Sequence, residues 1–284
     1  MDIKFGLRNK KNDFSGLEIG LIDNKNTGNF VGFSFSPWIN SFENFTGTSV
    51  AFAGNIVEKD VNGSVYAGFL NAVDGDVNGS AYAGLFNGVD GDVNGSAYAG
   101  VLNGVEGNVN GSAYAGLFNG VDGDVNGSVY AGLFNDVKKD VNGSAYTIGI
   151  NGVKGNVNGS VKAIGGNIVE KDVNGSAYAG VLNLILGNLT GRAGAAINYI
   201  QGKAKGCVSG LVTLVGELYG NQRGLVFNYC GEDAEGTQFG FINYQAGGKW
   251  YERFSPIISV RKPREAEKER RGETGEASRI SGIV

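Results

Sequence analysis

The sequence predicts an all-β protein, a β-solenoid of stacked 16-residue coils, because two repeat ladders run through a glycine-rich chain. Glycine supplies 50 of the 284 residues and proline only three, a composition that weakens helix interiors and is not collagen-like. A fixed repeat period is typical of solenoids and related repeat architectures. The tetrapeptide Val-Asn-Gly-Ser recurs every 16 residues, beginning at Val61, Val77, Val93, Val109, Val125, Val141, Val157 and Val173. Asparagines keep the same spacing at Asn55, Asn71, Asn87, Asn103, Asn119, Asn135, Asn151, Asn167 and Asn183.

Alternation within each unit predicts strands. In residues 76–91, small or apolar side chains occupy every second position, with polar or aromatic side chains between them. A period of two is typical of β-strands, whose successive side chains point to opposite faces. We expect Asn-Gly and Asp-Gly-Asp to form the turns, because these residues tolerate positive φ. The predicted narrow interior is lined by Val77, Gly79, Ala81, Ala83, Leu85, Asn87 and Val89, and the predicted outer row is Asp76, Asn78, Ser80, Tyr82, Gly84, Phe86, Gly88 and Asp90.

An up-and-down barrel is the alternative architecture. Successive barrel strands run in opposite directions, so that the natural repeat would contain two strands and two kinds of turn. This chain repeats a single unit with the same turn residues each time. In a solenoid, identical residues would stack at about 4.8 Å, and asparagines could hydrogen-bond along the axis. The repeat therefore favours the solenoid.

The repeats divide the chain into four segments. Residues 1–50 carry degenerate N-terminal repeats or a cap, and residues 51–200 form the regular 16-residue solenoid. Degenerate C-terminal repeats occupy residues 201–260. The final segment, 261–284, is charged, lacks aromatic residues and is predicted to be a disordered tail.

Charge and hydropathy indicate the class of partner. The net charge is −4 and no basic stripe occurs outside the tail, so we expect no nucleic-acid partner. No run approaches the ~18 apolar residues of a membrane-spanning helix, so no transmembrane segment is predicted. From residues 1–10 we predict no signal peptide, and the sequence leaves the localisation open. It also leaves open whether Cys207 and Cys230 pair.

The outer repeats carry a resemblance to a known family. GLEIGLID, beginning at Gly16, and GTQFGFIN, beginning at Gly236, fit a G-x-[QE]-x-G-[LF]-I-[ND] repeat. Over most of residues 5–260 the chain resembles bacterial surface-repeat proteins first described in Leptospira, with units of the type V-x-G-L-Q-L-G-L-x-N. This resemblance implies a secreted or surface repeat protein and supplies no catalytic residues. The central VNGSAYAGLFN units depart from that pattern in length and in having tyrosine where the family favours glutamine.

Aspartates in the turns are candidate calcium ligands. The pattern D-x-D-x-N-G matches the first half of a calcium-binding loop, in which alternating oxygens converge on the ion. The bidentate glutamate that completes such a loop is absent, and Lys138 and Lys154 occupy the first ligand position in other repeats. Polar turn residues that keep the coils soluble are the favoured interpretation. The candidate ligands are Asp74, Asp76, Asn78, Asp90, Asp92, Asn94, Asp122, Asp124 and Asn126.

A column of tyrosines is the candidate interaction face. We expect the rings to point outward, since a coil of 16 residues encloses too little space for them. Such an aromatic stripe could bind a glycan, a protein or a second copy of the chain. Alternatively, the stacked rings serve only to stabilise neighbouring coils. The residues are Tyr66, Tyr82, Tyr98, Tyr114, Tyr130, Tyr146 and Tyr178, and Lys162 interrupts the column.

The sequence favours a structural or interaction scaffold over an enzyme. It contains no histidine, which excludes histidine-dependent triads, and its aspartates recur in every unit instead of forming one asymmetric site. We therefore predict no catalytic residues and no cofactor. A calcium-binding repeat module and a carbohydrate-binding surface are the alternative functions.

Overall fold

The computed structural model describes residues 2–231, 234–247 and 253–261, and within these every regular element is a β-strand. The described chain forms a parallel β-solenoid, which confirms the predicted fold class. The chain divides into two compact units, residues 1–171 and 172–284. All of the predicted tail except Arg261 lies outside the described residues.

The strands follow the repeat along the chain. In the first unit they are β1 (Asp2–Lys11), β2 (Phe14–Ser36), β3 (Ile39–Ala51), β4 (Gly54–Val57), β5 (Val61–Ala67), β6 (Leu70–Val73), β7 (Val77–Ala83), β8 (Phe86–Val89), β9 (Ser96–Ala99), β10 (Leu102–Val105), β11 (Ser112–Ala115), β12 (Phe118–Val121), β13 (Val125–Ala131), β14 (Phe134–Val137), β15 (Val141–Thr147), β16 (Ile150–Val153), β17 (Val157–Ala163) and β18 (Gly166–Val169). In the second unit they are β19 (Val173–Ala179), β20 (Leu182–Ile185), β21 (Leu189–Gly194), β22 (Ile197–Cys230), β23 (Ala234–Gln245) and β24 (Phe254–Arg261).

The register places like residues on top of one another. β5 pairs with β7 so that Val61 lies beside Val77 and Tyr66 beside Tyr82. β6 pairs with β8 in the same way, with Asn71 beside Asn87. Each position of the repeat thus becomes a column along the stack, and every residue meets nearly the same neighbours in each coil.

Small apolar columns fill the interior of the regular coils. Val77, Ala81 and Val89 are at most 1% exposed, as the alternation predicts. Burying a valine side chain contributes roughly 1.5–3 kcal/mol, and the contribution recurs with each coil. The first coils are packed differently, with phenylalanine rings in place of valine. Phe30, Phe42 and Phe45 are each 1% exposed, with ring centroids 4.6–5.4 Å apart.

The predicted inward position of Leu85 is wrong. Leu85 is half-buried, and its equivalents Leu117 and Leu133 are 38% and 41% exposed. The reason is that Gly84 and Leu85 form a bend between β7 and β8, where the strand alternation no longer determines the direction of the side chain. Leu85 therefore lies at a corner of the coil.

The prediction that Asn-Gly forms a turn is also wrong for most coils. Asn78 and Gly79 lie inside β7, whereas Asp90 and Gly91 form a bend as expected. Gly79 has φ of 151°, and a Cβ there would lie 1.8 Å from the carbonyl oxygen of Gly63 in the preceding coil. The glycines equivalent to Gly79 form a column along the coils, which we call the glycine column. Glycine is required there because neighbouring strands approach each other so closely.

Coil length varies more in the second unit. From Gly191 onward, its positive-φ glycines Gly191, Gly206, Gly220 and Gly236 follow one another at intervals of 15, 14 and 16 residues. The last described strand, β24, runs antiparallel to β23, unlike the parallel pairs of the coils. Among the described residues no helix is long and apolar enough to span a membrane.

Candidate interaction face and asparagine ladders

The tyrosines of the first unit form a stacked ladder. From Tyr66 to Tyr146, successive ring centroids lie 4.6–5.1 Å apart and the rings are within 11° of parallel. This geometry follows from the register, because each ring starts from an equivalent backbone position one strand spacing further along. The six rings therefore form one continuous aromatic column.

The column is partly open to solvent. Tyr66 at its end is 39% exposed, and the tyrosines that follow are half-buried because each ring covers its neighbour. Ala81 and Ala83, on either side of Tyr82, are buried, so the ring points away from the interior. Tyr178 lies in the second unit and is also 39% exposed.

Lys162 ends the column in the first unit. It pairs with Tyr146 in the register of β15 and β17, and its Nζ lies 5.4 Å from the centroid of the Tyr146 ring. An ammonium over the face of a tyrosine is attracted by the ring quadrupole. The terminal ring is thus covered by a cation instead of a further phenol.

A second apolar column runs beside the tyrosines on a different strand. Phe86, Leu102, Phe118 and Phe134 are 38–44% exposed, and the rings of the last two stack at 5.5 Å. The alternation of side chains along the sequence predicted that these residues lie in the same outer row as the tyrosines. However, β7 ends at Ala83 and β8 begins at Phe86, so the corner at Leu85 separates the two columns.

The asparagine ladder of the repeat is buried. Asn135 is 2% exposed and donates through Nδ2 to Oδ1 of Asn151 at 2.8 Å and to the carbonyl of Tyr146 at 2.8 Å. Equivalent bonds join Asn55 to Asn71 and Asn87 to Asn103, both at 2.9 Å. The predicted hydrogen bonding along the axis is confirmed. The asparagines are 0–2% exposed, which confirms the interior position predicted for Asn87 and gives this ladder no exposed face.

An exposed amide ladder lies on the outside instead. Asn94 donates to Asn78 at 2.8 Å, and Asn110 donates to Asn94 at 2.7 Å. These residues belong to the Val-Asn-Gly-Ser tetrapeptide, and sequence reasoning assigned them to turns or to calcium. Their strict spacing of 16 residues was the signal that could have identified the ladder.

Most of the candidate calcium ligands form hydrogen bonds between coils. Oδ1 of Asp76 accepts the backbone N–H of Asp92 at 2.7 Å, and Oδ1 of Asp92 accepts that of Asn108 at 2.6 Å. Asn78, Asn94 and Asn126 take part in the exposed amide ladder. The oxygens thus lie in columns along the coils. Within the part of the chain that the structure describes, no three acidic, histidine or cysteine side chains form a cluster that could hold a metal ion.

The first aspartate of the calcium pattern forms a separate column. In it, the carboxylate of Asp122 accepts a hydrogen bond from Nζ of Lys138 in the next coil. This bond raises the pKa of Lys138 above its ordinary value. Both side chains are about half exposed, so the pair resembles a surface ion pair, which contributes little to stability.

No match to a known protein was found. The chain matches no family model, no curated protein and no solved structure. The resemblance to the bacterial surface-repeat family therefore remains a prediction that rests on the repeat residues. The function has to be argued from the geometry of the coils.

Proposed function

We propose that this protein is a non-enzymatic interaction scaffold whose tyrosine face pairs with a second copy of the chain. The observation that carries the proposal is the continuous stack of phenol rings on β5, β7, β9, β11, β13 and β15. We define the tyrosine face as this stack together with the neighbouring corner side chains Phe69, Leu85, Val101, Leu117 and Leu133.

The charge of the tyrosine face favours a neutral partner. From Tyr66 to Tyr146, the segments that run from each tyrosine to its corner side chain contain no acidic or basic residue. A strongly charged partner would gain no ion pairs there and would lose hydration. Phe69 and Leu133 are 47% and 41% exposed, so the partner would remove apolar surface from water.

The spacing of the tyrosine face favours a second copy. Its rings recur at one strand spacing, 4.6–5.1 Å, over the whole column. The tyrosine face of a second copy carries its rings at the same interval, so the rings of two faces can interdigitate along their full length. A two-fold axis would then relate identical patches, as in most homodimers.

The size of the face sets the expected strength of pairing. The face is six strands wide, with about 4.8 Å between neighbouring strands, and four residues long, with about 3.3 Å per residue along the strand. Its flat area is therefore about 400 Å². Stable complexes bury about 800 Å² per partner, so we expect a weak dimer whose population depends on protein concentration.

The test replaces two rings in the middle of the column, as Tyr98→Ser with Tyr114→Ser. We expect sedimentation equilibrium to show the parent chain dimerising with increasing concentration and the variant staying monomeric. Circular dichroism should show that the variant keeps its β structure. The matched control is Asp90→Ser with Glu106→Ser, two exposed residues in a column outside the tyrosine face, which should dimerise like the parent. A parent that is monomeric at all concentrations, or a control that loses the dimer equally, would contradict the proposal.

The proposal also includes a secreted or cell-surface location. Its only support is the resemblance of the repeats beginning at Gly16 and Gly236 to the surface-repeat family. Protease treatment of intact source cells tests it, since a surface protein would be cleaved while a cytoplasmic marker stays whole.

A further inference from the structure

The second unit contains a cleft on the outer side of its coils. Its volume is about 340 Å³, and its walls include Tyr199, Gln201, Leu214, Gly216, Glu217 and Tyr229. All of these residues lie on β22. The residues of the cleft belong to the second unit, whereas those of the tyrosine face belong to the first.

Substitution at one repeat position creates the cleft. In several regular coils a glycine follows the buried asparagine, as at Gly88, Gly104 and Gly120, whereas a non-aromatic side chain follows it in the others. In the second unit, Tyr199 follows Asn198 and Tyr229 follows Asn228. This outward position therefore carries no aromatic ring from residue 56 to residue 184, whereas it carries phenol rings at Tyr199 and Tyr229.

Leu214 lies between the two rings. The backbone N–H of Val212 donates to Ala196 at 3.0 Å, and that of Gly231 donates to Val215 at 2.9 Å. These bonds place Leu214 in the coil between those of Tyr199 and Tyr229. The two tyrosines are therefore two strand spacings apart, about 9.6 Å. Since leucine is shorter than tyrosine, a slot opens above Leu214 between the two rings.

The base of the slot is apolar and firmly packed. Ile200 and Val215, which follow Tyr199 and Leu214, are each 1% exposed and point into the interior. Gly216 adds no side chain at the edge, and a Cβ there would lie 2.0 Å from the carbonyl oxygen of Gln201. The wall is thus preformed, as is usual for small-molecule sites.

Polar groups stand at one edge of the slot. The Glu217 side chain is 33% exposed, and its Oε2 lies 3.0 Å from Nζ of Lys203 and accepts a hydrogen bond from the Tyr219 hydroxyl at 3.3 Å. These contacts orient the carboxylate, and its Oε1 can accept a hydrogen bond from a ligand. Gln201 is exposed in the same wall, and its amide can both donate and accept.

We propose that this cleft binds a neutral saccharide, one or two rings long. The C–H faces of a pyranose are apolar and can lie against the phenol rings of Tyr199 and Tyr229, while its hydroxyls donate to Glu217 and bond to Gln201. Aromatic rings beside a few convergent polar groups are the usual composition of a specific pocket, and the volume of 340 Å³ lies at the lower end of ligand sites. The described residues that line the cleft include no lysine or arginine, and Lys203 nearby is paired with Glu217, so anionic ligands such as nucleotides are disfavoured. This assignment does not depend on dimerisation of the tyrosine face.

The experiment measures binding of cellotetraose and of chitotetraose to the full chain by titration calorimetry, with adenine as a flat ligand that is not a sugar. We expect saturable binding of at least one oligosaccharide and none of adenine. Tyr199→Ala and Tyr229→Ala should each weaken that binding about tenfold, the loss expected for one ring contact. Leu214→Trp should abolish it by filling the slot while both tyrosines remain.

The matched control is Tyr98→Ala, which removes a phenol ring from the tyrosine face and should leave the affinity unchanged. Glu217→Gln keeps the shape of the side chain, removes its charge and should weaken binding. Absence of binding by both oligosaccharides at 10 mM, roughly a hundred times a moderate Kd, would overturn the proposal. Adenine binding with the same dependence on Tyr199 and Tyr229, or an equal loss in Tyr98→Ala, would also overturn it. Loss of dimerisation in Tyr98→Ala with unchanged sugar binding would separate this proposal from the proposed function.

Discussion

The side chain of Asn71 donates a hydrogen bond to the backbone carbonyl of Tyr82, 2.7 Å away in the next coil. Asn71 is fully buried, and Tyr82 belongs to the aromatic column on the outside. The same bond recurs between Asn135 and Tyr146 at 2.8 Å. The buried asparagines therefore hold the strands that carry the tyrosines, which couples the internal ladder to the position of the rings.

The buried ladder should contribute more to stability than the exposed one. Asn135→Ala removes a side chain that bonds to Asn119, Tyr146 and Asn151, so that the buried Oδ1 of Asn151 loses the donor it has in Asn135. We expect the free energy of unfolding to fall by about 1–3 kcal/mol, measured by chemical denaturation. The control, Asn126→Ala, removes an exposed amide with bonds of 2.8 and 2.9 Å in its own ladder. Water can replace those bonds, so Asn126→Ala should lower the free energy of unfolding by less than about 1 kcal/mol. Equal losses in the two variants would show that burial does not decide the contribution.

The glycine column should tolerate no side chain. Gly143 has φ of 152°, and a Cβ there would lie 1.7 Å from the carbonyl oxygen of Gly127. We expect Gly143→Ala to lower the melting temperature by 10 °C or more, about what a loss of several kcal/mol causes in a domain of this size. In contrast, Gly120→Ala places its Cβ where no atom lies within 4 Å, and it should change the stability by less than about 1 kcal/mol. A mild effect at Gly143 would mean that neighbouring coils can move apart.

Whole coils should be removable. Deletion of residues 93–108 joins Asp92 to Val109 and leaves every column intact, because the repeat is 16 residues long. We expect this variant to keep its β-sheet circular dichroism and to melt cooperatively, since each coil contacts only its neighbours. Deletion of residues 93–100 shifts the register by half a coil and should prevent folding of this region. If both deletions unfolded the protein equally, the coil would not be the unit of stability.

Calcium should leave the stability unchanged. Asp92 accepts the backbone N–H of Asn108 at 2.6 Å, whereas Asp90 is exposed in a separate column. We expect chelation by EDTA to shift the melting temperature by less than about 2 °C. Asp92→Ala should destabilise the protein by about 1–3 kcal/mol with or without calcium, and Asp90→Ala should have little effect. A rise in melting temperature with millimolar Ca²⁺ that both substitutions weaken would support a calcium-binding module instead.

The sequence by itself determined the solenoid and the identity of its columns. A period of 16 residues brings like residues together once strands pair in parallel, so Val77, Tyr82 and Asn87 could each be assigned to a column. The alternation also identified the inward positions of Ala81 and Val89, because it is a local property of a strand.

Tertiary structure decided the burial and the contacts of side chains at the bends of the chain and between neighbouring coils. Leu85 lies at a corner of the coil, half-buried, because a bend interrupts the alternation. The carbonyl oxygen of Gly63, one coil away, leaves no room for a Cβ at Gly79. Asp92 has the residue type of a calcium ligand, yet its oxygen bonds to the backbone of Asn108. The slot between Tyr199 and Tyr229 exists only because Leu214 lies in the coil between them. These features depend on contacts between residues one or two coils apart, which a local pattern of side chains does not specify.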